Sequence, residues 1–181
     1  MEEDVRIRFT RQSIDDAFVT LLQEKKLDAI TVKELCAEAG VSRATFYRHY
    51  RDVRDLMDFI EGEILADLYD ELRLRKRDLA SIIDLALGSL KSGGHRYRVL
   101  FSSNGDPFFL EELFSAARET VDDEMAFCFP KVSPIEREWL FRYFSKGCAG
   151  VWTCWLERGM VEPVEEVARF TLGLIESSMG R

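Results

Sequence analysis

Proline and histidine are scarce in this sequence, and basic residues are outnumbered by acidic ones. Only four prolines occur, the first of them at Pro107, so the N-terminal half has no residue that must break a helix. No stretch alternates polar and apolar residues for long, which argues against strands, and there are no repeats or low-complexity tracts. The only histidines are His49 and His95, and the cysteines Cys36, Cys128, Cys148 and Cys154 form no C-x-x-C pair. That excludes a Cys/His zinc site and leaves the thiols as buried and reduced, with redox sensing by Cys148 or Cys154 the lesser alternative. No nucleophile–base pattern, phosphate loop or metal motif is present, so the sequence predicts neither an enzyme nor a cofactor. Acid pairs such as Glu111-Glu112 and Asp122-Asp123 are simplest as solvated helix faces. No apolar run approaches bilayer length, and Met1-Glu2-Glu3-Asp4 lacks the basic-then-apolar pattern of a signal peptide. The expected location is cytoplasmic.

The chain has a formal net charge of -8, unevenly spread. Residues 1–54 hold ten Lys/Arg and ten Asp/Glu, so the remaining 15 basic and 23 acidic residues account for all of it. Hydrophobic residues make up 46%, enough for a packed core. Their spacing is helical nearly throughout, and the predicted class is all-α with about nine helices. Ile14, Ala17, Phe18, Leu21 and Leu22 mark a first helix over 11–25, which Thr10 or Ser13 could cap. Leu27 to Ile30 is a link. Thr31-Val32-Lys33-Glu34 is a capping box opening a second helix, which Gly40 ends. Ser42 caps a third helix running to about Tyr50, and Arg51-Asp52 opens a fourth. A larger helical body follows. Helices are expected over about 64–77, near 82–90, over 108–128, 135–158 and 164–178, with a turn at Asn104-Gly105-Asp106-Pro107. The predicted domains are 1–54 and 55–181, joined through a continuous helix.

Two helices separated by Ala39-Gly40-Val41 suit a helix-turn-helix, in which a tight turn sets the angle at which the second helix enters a DNA groove. In the third helix Phe46 and Tyr50 are four apart and can face inward. That turns Arg43, Ala44, Thr45, Tyr47, Arg48 and His49 outward. The stretch from Ile30 to Tyr50, with its capping Thr31, turn Gly40-Val41-Ser42, core Thr45-Phe46-Tyr47 and ending His49-Tyr50, resembles the DNA-binding domain of the TetR/AcrR family. The resemblance covers roughly Phe9 to Ile60. It implies a homodimer whose two reading heads bind double-stranded DNA at a palindromic operator. Carried over by position, Arg43, Ala44 and Thr45 lie near base edges, capped by Ser42. Tyr47 and His49 reach phosphates, Thr31 and Lys33 anchor the second helix, and Arg48 touches a base or a phosphate. Family members commonly carry Lys where this chain has Val53, so Arg51 or Arg54 is the expected substitute. Arg6, Arg8 and Arg11 could follow the backbone or lie in a solvated tail.

In the body, Leu140, Phe144, Cys148, Val151 and Trp155 form one stripe of the penultimate helix, with Gly147 and Gly150 inside it. Val164, Val167, Ala168, Leu172, Ile175 and Met179 form the stripe of the last. Small residues beside apolar stripes suit a four-helix dimer interface. The expected interface is Phe144, Gly147, Val151, Trp155, Val164, Val167, Ala168, Leu172 and Ile175. The segment from Gly147 to Gly159 resembles a C-terminal domain type frequent in Firmicutes regulators. An effector pocket is expected among Tyr97, Phe101, Phe108, Phe109, Phe114, Phe127, Trp139 and Tyr143, its small-molecule ligand unspecified. The function so implied is a sequence-specific DNA-binding transcriptional regulator, a repressor released by that effector. The alternative is a coactivator or protein-interaction protein of the same fold with weak or no DNA binding.

Overall fold

Hydrophobic periodicity sets where helices form, and caps and turns decide where they stop. The structure, a computed structural model, describes residues 2–74, 78–102, 104–106, 108–116, 118, 122, 123, 126 and 131–178. Among these there is no strand. The helices are α1 (Glu2–Glu24), α2 (Val32–Glu38), α3 (Arg43–Tyr47), α4 (Val53–Leu74), α5 (Leu79–Ser92), α6 (Gly94–Leu100), α7 (Phe109–Ala116), α8 (Pro134–Glu157) and α9 (Val164–Ser178), with a 3-10 turn at Leu27–Ala29. Among the described residues no helix is long and apolar enough to cross a membrane. Of the helix expected over 108–128, Phe109–Ala116 form α7, and most of 117–128 lies outside the described residues. The chain forms two compact units: Met1–Glu63 with Val99–Asp106, and Ile64–Arg98 with Pro107–Arg181. Residues of α4 contribute to both.

In the first unit α1 packs on α2 and α2 on α3. The core holds Ile14, Phe18 and Leu22 from α1, Leu35 from α2, Phe46 from α3, and Leu56, Met57 and Ile60 from α4, all sealed from solvent. Fully burying one such side chain contributes about 1.5–3 kcal/mol. The helix α1 begins upstream of the expected start, and Thr10 and Ser13 do not cap it. Both lie inside the helix, and their hydroxyls donate to the carbonyls of Arg6 (2.9 Å) and Phe9 (3.0 Å), the usual outlet for a mid-helix hydroxyl. At the other end of α1, Asn104 supplies partners for the last turn. Its Nδ2 donates to the Leu22 carbonyl at 3.0 Å, and its own carbonyl accepts from the Leu27 N–H at 2.9 Å. Gly105 permits the tight turn after α6: a Cβ there would sit 1.9 Å from the Leu100 carbonyl oxygen.

The capping box of α2 is fully formed. The Glu34 N–H donates to the Thr31 hydroxyl at 3.3 Å, and the Glu34 carboxylate accepts from the Thr31 N–H at 3.1 Å and from its hydroxyl at 2.8 Å. Lys25 Nζ lies 2.8 Å from the other carboxylate oxygen. α3 is shorter than expected, ending at Tyr47, because the His49 N–H turns to the Phe46 carbonyl at 2.9 Å in a tighter turn. α4 starts at Val53 rather than Arg51, with Asp52 accepting from the Asp55 N–H at 2.8 Å.

In the second unit α9 lies on α5 and α7 on α8. The shared core includes Ile83, Leu87 and Leu90 of α5, Phe144, Trp152 and Trp155 of α8, and Val167, Thr171 and Ile175 of α9. Trp152 Nε1 donates to the Thr171 hydroxyl at 3.2 Å, which donates onward to the Val167 carbonyl at 2.8 Å, so both buried polar groups are satisfied. α8 opens with a second capping box, Ser133 with Glu136, and ends where Gly159 takes a φ of +83°. Cys36 and Cys148 are buried, and burial pushes the Cys148 thiol up to about 11, so it stays protonated. Cys154 is exposed, contrary to the expectation of uniformly buried thiols, because it sits on the outer side of α8; Cys128 lies outside the described residues.

Two outcomes follow. Lys25 first, then the Thr31 hydroxyl and N–H, hold the Glu34 carboxyl at about 2 instead of its ordinary 4.5. A folded value below the unfolded one means stabilisation that is complete above 4.5 and is lost as pH falls towards 2. The gap in melting temperature between the wild type and Glu34→Gln should therefore be constant near neutral pH and close on acidification; a gap insensitive to pH contradicts this. Thr171→Val should cost about 1–3 kcal/mol in urea unfolding by leaving the Trp152 N–H without a partner; a neutral result contradicts the buried pair.

Candidate nucleic-acid interface

α3 has five residues, too few to be stable alone, so its form and rotation depend on what surrounds it. Gly40, at a φ of +65°, closes α2, and the Val41 N–H bonds the Cys36 carbonyl at 3.0 Å. The Ser42 hydroxyl caps α3, accepting from the Thr45 N–H at 3.0 Å, and lies 2.9 Å from the Thr45 hydroxyl. Phe46 is fully buried and Tyr50 nearly so, their ring centroids 5.6 Å apart. Tyr50 meets Phe59 of α4 edge-on, also at 5.6 Å, and the Arg11 guanidinium stands 5.1 Å above that Phe59 ring. With its inner side fixed, α3 presents Arg43, Ala44, Tyr47 and Arg48 to solvent. Ser42 is exposed, and Thr45 and His49 are half-buried. On α2, Thr31 and Lys33 are exposed.

The two arginines expected to replace the missing Lys are engaged by acids. Arg51 holds Asp55 through Nε at 2.9 Å and Nη2 at 2.6 Å. Arg54 Nη1 lies 2.6 Å from an Asp106 carboxylate oxygen. Val53 is buried because it shares the inward side of α4 with Leu56, Met57 and Ile60. The Arg54–Asp106 pair joins positions 52 apart, and no local sequence signal announces it.

A cleft of about 750 Å³ opens between the first turns of α1 and the 40–49 segment. Arg6, Ile7, Thr10 and Arg11 line one side, and Gly40, Val41, Ser42, Thr45, Arg48 and His49 the other. Burial first, then Arg11 and Arg48, hold the His49 imidazole below its ordinary value of 6.5. Arg6 and Arg8 are part of α1, not a tail. Continuing the helical spacing upstream through Ile7, Thr10 and Arg11 would have found this side.

The second unit does not gather the expected pocket aromatics. Phe108, Trp139 and Tyr143 are mostly exposed, at 69%, 62% and 67%, so they line no enclosed space. Phe101 is buried in the first unit, and Phe127 lies outside the described residues. Phe109 is core, and Phe114 packs 4.8 Å from Trp152. Tyr97 lines a cavity of about 140 Å³ with Ile64, Asp67, Ala86, Ser89, Leu90, Ser92 and Leu113. The expected dimer residues divide as well. Phe144, Trp155, Val167, Ala168 and Ile175 are buried inside the unit, covered by their own chain, so they are core and not a free face. Val151, Val164 and Leu172 are half-buried, and Gly147 is exposed. The apolar periodicity was legible, but it marked the side facing α5 and α7. The exposed side instead carries Gly150, Cys154, Phe170, Gly173 and Leu174. Among the described residues no three His, Cys, Asp or Glu side chains gather as a metal site.

Comparison with known proteins agrees with this architecture. Residues 14–58 match the bacterial regulatory proteins of the tetR family. Residues 78–177 match a transcriptional regulator C-terminal region. Over 63 residues the chain is 36% identical to the tetracycline repressor protein class D of Escherichia coli, covering 35% of this chain and 29% of that protein. Over an alignment of 182 positions it is 25% identical to the uncharacterized HTH-type transcriptional regulator YxbF of Bacillus subtilis (strain 168), covering 96% of this chain and 46% of that one. The chain thus spans less than half the length of these curated relatives. The crystal structure of a TetR transcriptional regulator from Streptococcus agalactiae 2603V shares the fold, with a TM-score of 0.72 at 23% identity over 97% of this chain and 98% of that one. With one match spanning the helix-turn-helix and another more than half of the chain, the protein belongs to the tetR family of bacterial regulatory proteins.

Proposed function

We propose that this protein is a sequence-specific, DNA-binding transcriptional regulator of the cytoplasm that acts as a homodimer. The observation that carries this is the outer face of α3, with Arg43, Ala44, Tyr47 and Arg48 exposed on a helix whose inner side is locked by Phe46. Arg43 is the base-reading group: a guanidinium can bind guanine through two hydrogen bonds, worth about 1–3 kcal/mol of discrimination. Ala44 leaves room for a thymine methyl, and Thr45 supports the base-facing side. Tyr47, Arg48 and His49, with Thr31, Ser42 and Lys33, hold phosphates and set the register. Arg51 and Arg54 reach phosphate only in competition with Asp55 and Asp106. The reading head spans about residues 1–54, and 55–181 form the body.

The second copy docks on the exposed side of α8 and α9, through Gly147, Gly150, Cys154, Phe170, Gly173 and Leu174. The three glycines support this, since a Cβ at any of them would meet open space and they leave room for a close neighbour. The protein acts as a repressor released by a small molecule, for which the cavity beside Tyr97 is the candidate site. An effector there works only through different affinities for two head spacings. The tetracycline repressor carries a repressor's name, and its likeness to this chain over 63 residues supports that sign of regulation. A second reading, a protein-binding coactivator, is favoured by the acid-paired Arg51 and Arg54 and the buried Val53.

Selection of bound duplexes from a random pool separates the two. A recovered palindrome supports the regulator, and a pool without enrichment supports the coactivator. Arg43→Ala should then relax preference at one position per half-site; an unchanged motif removes Arg43 from the reading role. Asp106→Asn should release Arg54 and tighten binding by up to about fivefold, since an exposed ion pair is worth about 0.2–1 kcal/mol. The dependence of affinity on salt should steepen with it, by about 0.9 per added phosphate contact. Equal affinity and equal salt slope for Asp106→Asn and wild type would rule out competition for Arg54.

A further inference from the structure

The cleft between α1 and the 40–49 segment concentrates charge of one sign. Arg6 and Arg11 approach from α1, Arg48 and His49 from the turn after α3, and none of the residues lining it carries a carboxylate. This contrasts with Arg51 and Arg54, each held by an acid. Gathering cations in one cleft is unfavourable in the free protein, and an anion that enters removes the repulsion. The Thr10 hydroxyl already donates to the Arg6 carbonyl, and the Ser42 and Thr45 oxygens lie within hydrogen-bond distance of each other. Guanidinium and imidazole N–H groups are therefore the donors offered to a ligand. Arg11 stands over the Phe59 ring, which fixes where its charge can sit.

We propose that this cleft is a phosphate-binding site for the duplex backbone, and that filling it couples DNA binding to protonation of His49. The inference rests on the DNA-reading function proposed above. It differs from it in the part played by α1 and in the linked proton. A phosphodiester is the anion of choice because the cleft borders the exposed Ser42 and Arg48 of the reading helix. The arginines of the cleft also supply the backbone-binding cation that Val53 does not.

The groups facing His49 are Arg11 from α1, Arg48 from its own turn and the Tyr50 ring, centroids 6.2 Å apart, with Arg6 in the same cleft. In the free protein burial first, then Arg11 and Arg48, hold the imidazole below its ordinary value and favour its neutral form. A phosphate among them offsets the arginine charge and favours the imidazolium, so the bound value exceeds the free one. Affinity therefore rises as pH falls through the bound value, and levels off below the free value, which lies under 6.5. One proton per head sets a ceiling of about tenfold in affinity per pH unit for each head.

The test uses the full chain in a His95→Gln background, so that one histidine remains, with a short mixed-sequence duplex at low salt. The His49 ring signals are followed by NMR against pH with and without duplex, and binding is followed by fluorescence anisotropy. The expected result is an upward move of the His49 midpoint on adding duplex, and loss of the pH dependence of binding in His49→Gln. Arg6→Gln and Arg11→Gln should each flatten the salt slope by about one unit. Because Arg11 also packs on Phe59, the exposed Arg6→Gln serves as the variant least able to disturb the fold. A duplex that binds while the His49 midpoint stays put, with wild-type salt slopes in both arginine variants, overturns this inference alone. Absence of any duplex binding by the wild type overturns the DNA-reading function and the inference together.

Discussion

Phe46, fully buried on the inner side of α3 with Tyr50 at its side, is the contact from which the rest of the head takes its geometry. A five-residue helix has no stability of its own, so its phase is whatever the burial of that ring dictates. Once Phe46 points inward, Arg43, Ala44, Tyr47 and Arg48 must point outward. The Ser42 cap and the left-handed Gly40 fix the entry into the helix, and the Thr31–Glu34 box fixes the helix before it. Polar caps thus set the ends and one aromatic side chain sets the rotation. The exposed surface is a consequence of both.

Charge in the head is arranged rather than abundant. Residues 1–54 hold equal numbers of acidic and basic side chains, and acids within and beyond that segment are committed to structure. Glu34 serves the α2 cap and Lys25, Asp55 holds Arg51, and Asp106 holds Arg54. What faces solvent on α3 is accordingly basic, although the chain as a whole carries -8. The local field at the reading surface, not the total, is what a phosphate backbone meets.

Much of the head could be read from local sequence. The capping box, the turn glycine, the Ser42 cap and the inward pair Phe46 and Tyr50 each leave a signature within a few residues. Features that depend on distant partners left none. Asn104 closing the end of α1 and Asp106 holding Arg54 come from a segment that chain topology, not periodicity, returns to the first unit. The body shows a different limit. Apolar residues recur on more than one side of α8 and α9, so spacing identified two helices but not which side faces inward. Phe144 and Val167 turned out to be core, while Trp139, Tyr143, Phe170 and Leu174 are the ones exposed. Thr10 and Ser13 looked like caps because a hydroxyl at a helix start and one bonded back inside a helix read alike in sequence.

The central claim is that the outer face of α3 enters the major groove. Methylation interference on a duplex recovered by selection tests it directly. The account predicts that methylating guanine N7, which lies in the major groove, abolishes binding at two clusters related by the dimer symmetry, with adenine N3 methylation in the minor groove having little effect there. Interference confined to adenine N3, with guanine N7 methylation tolerated throughout, would contradict it.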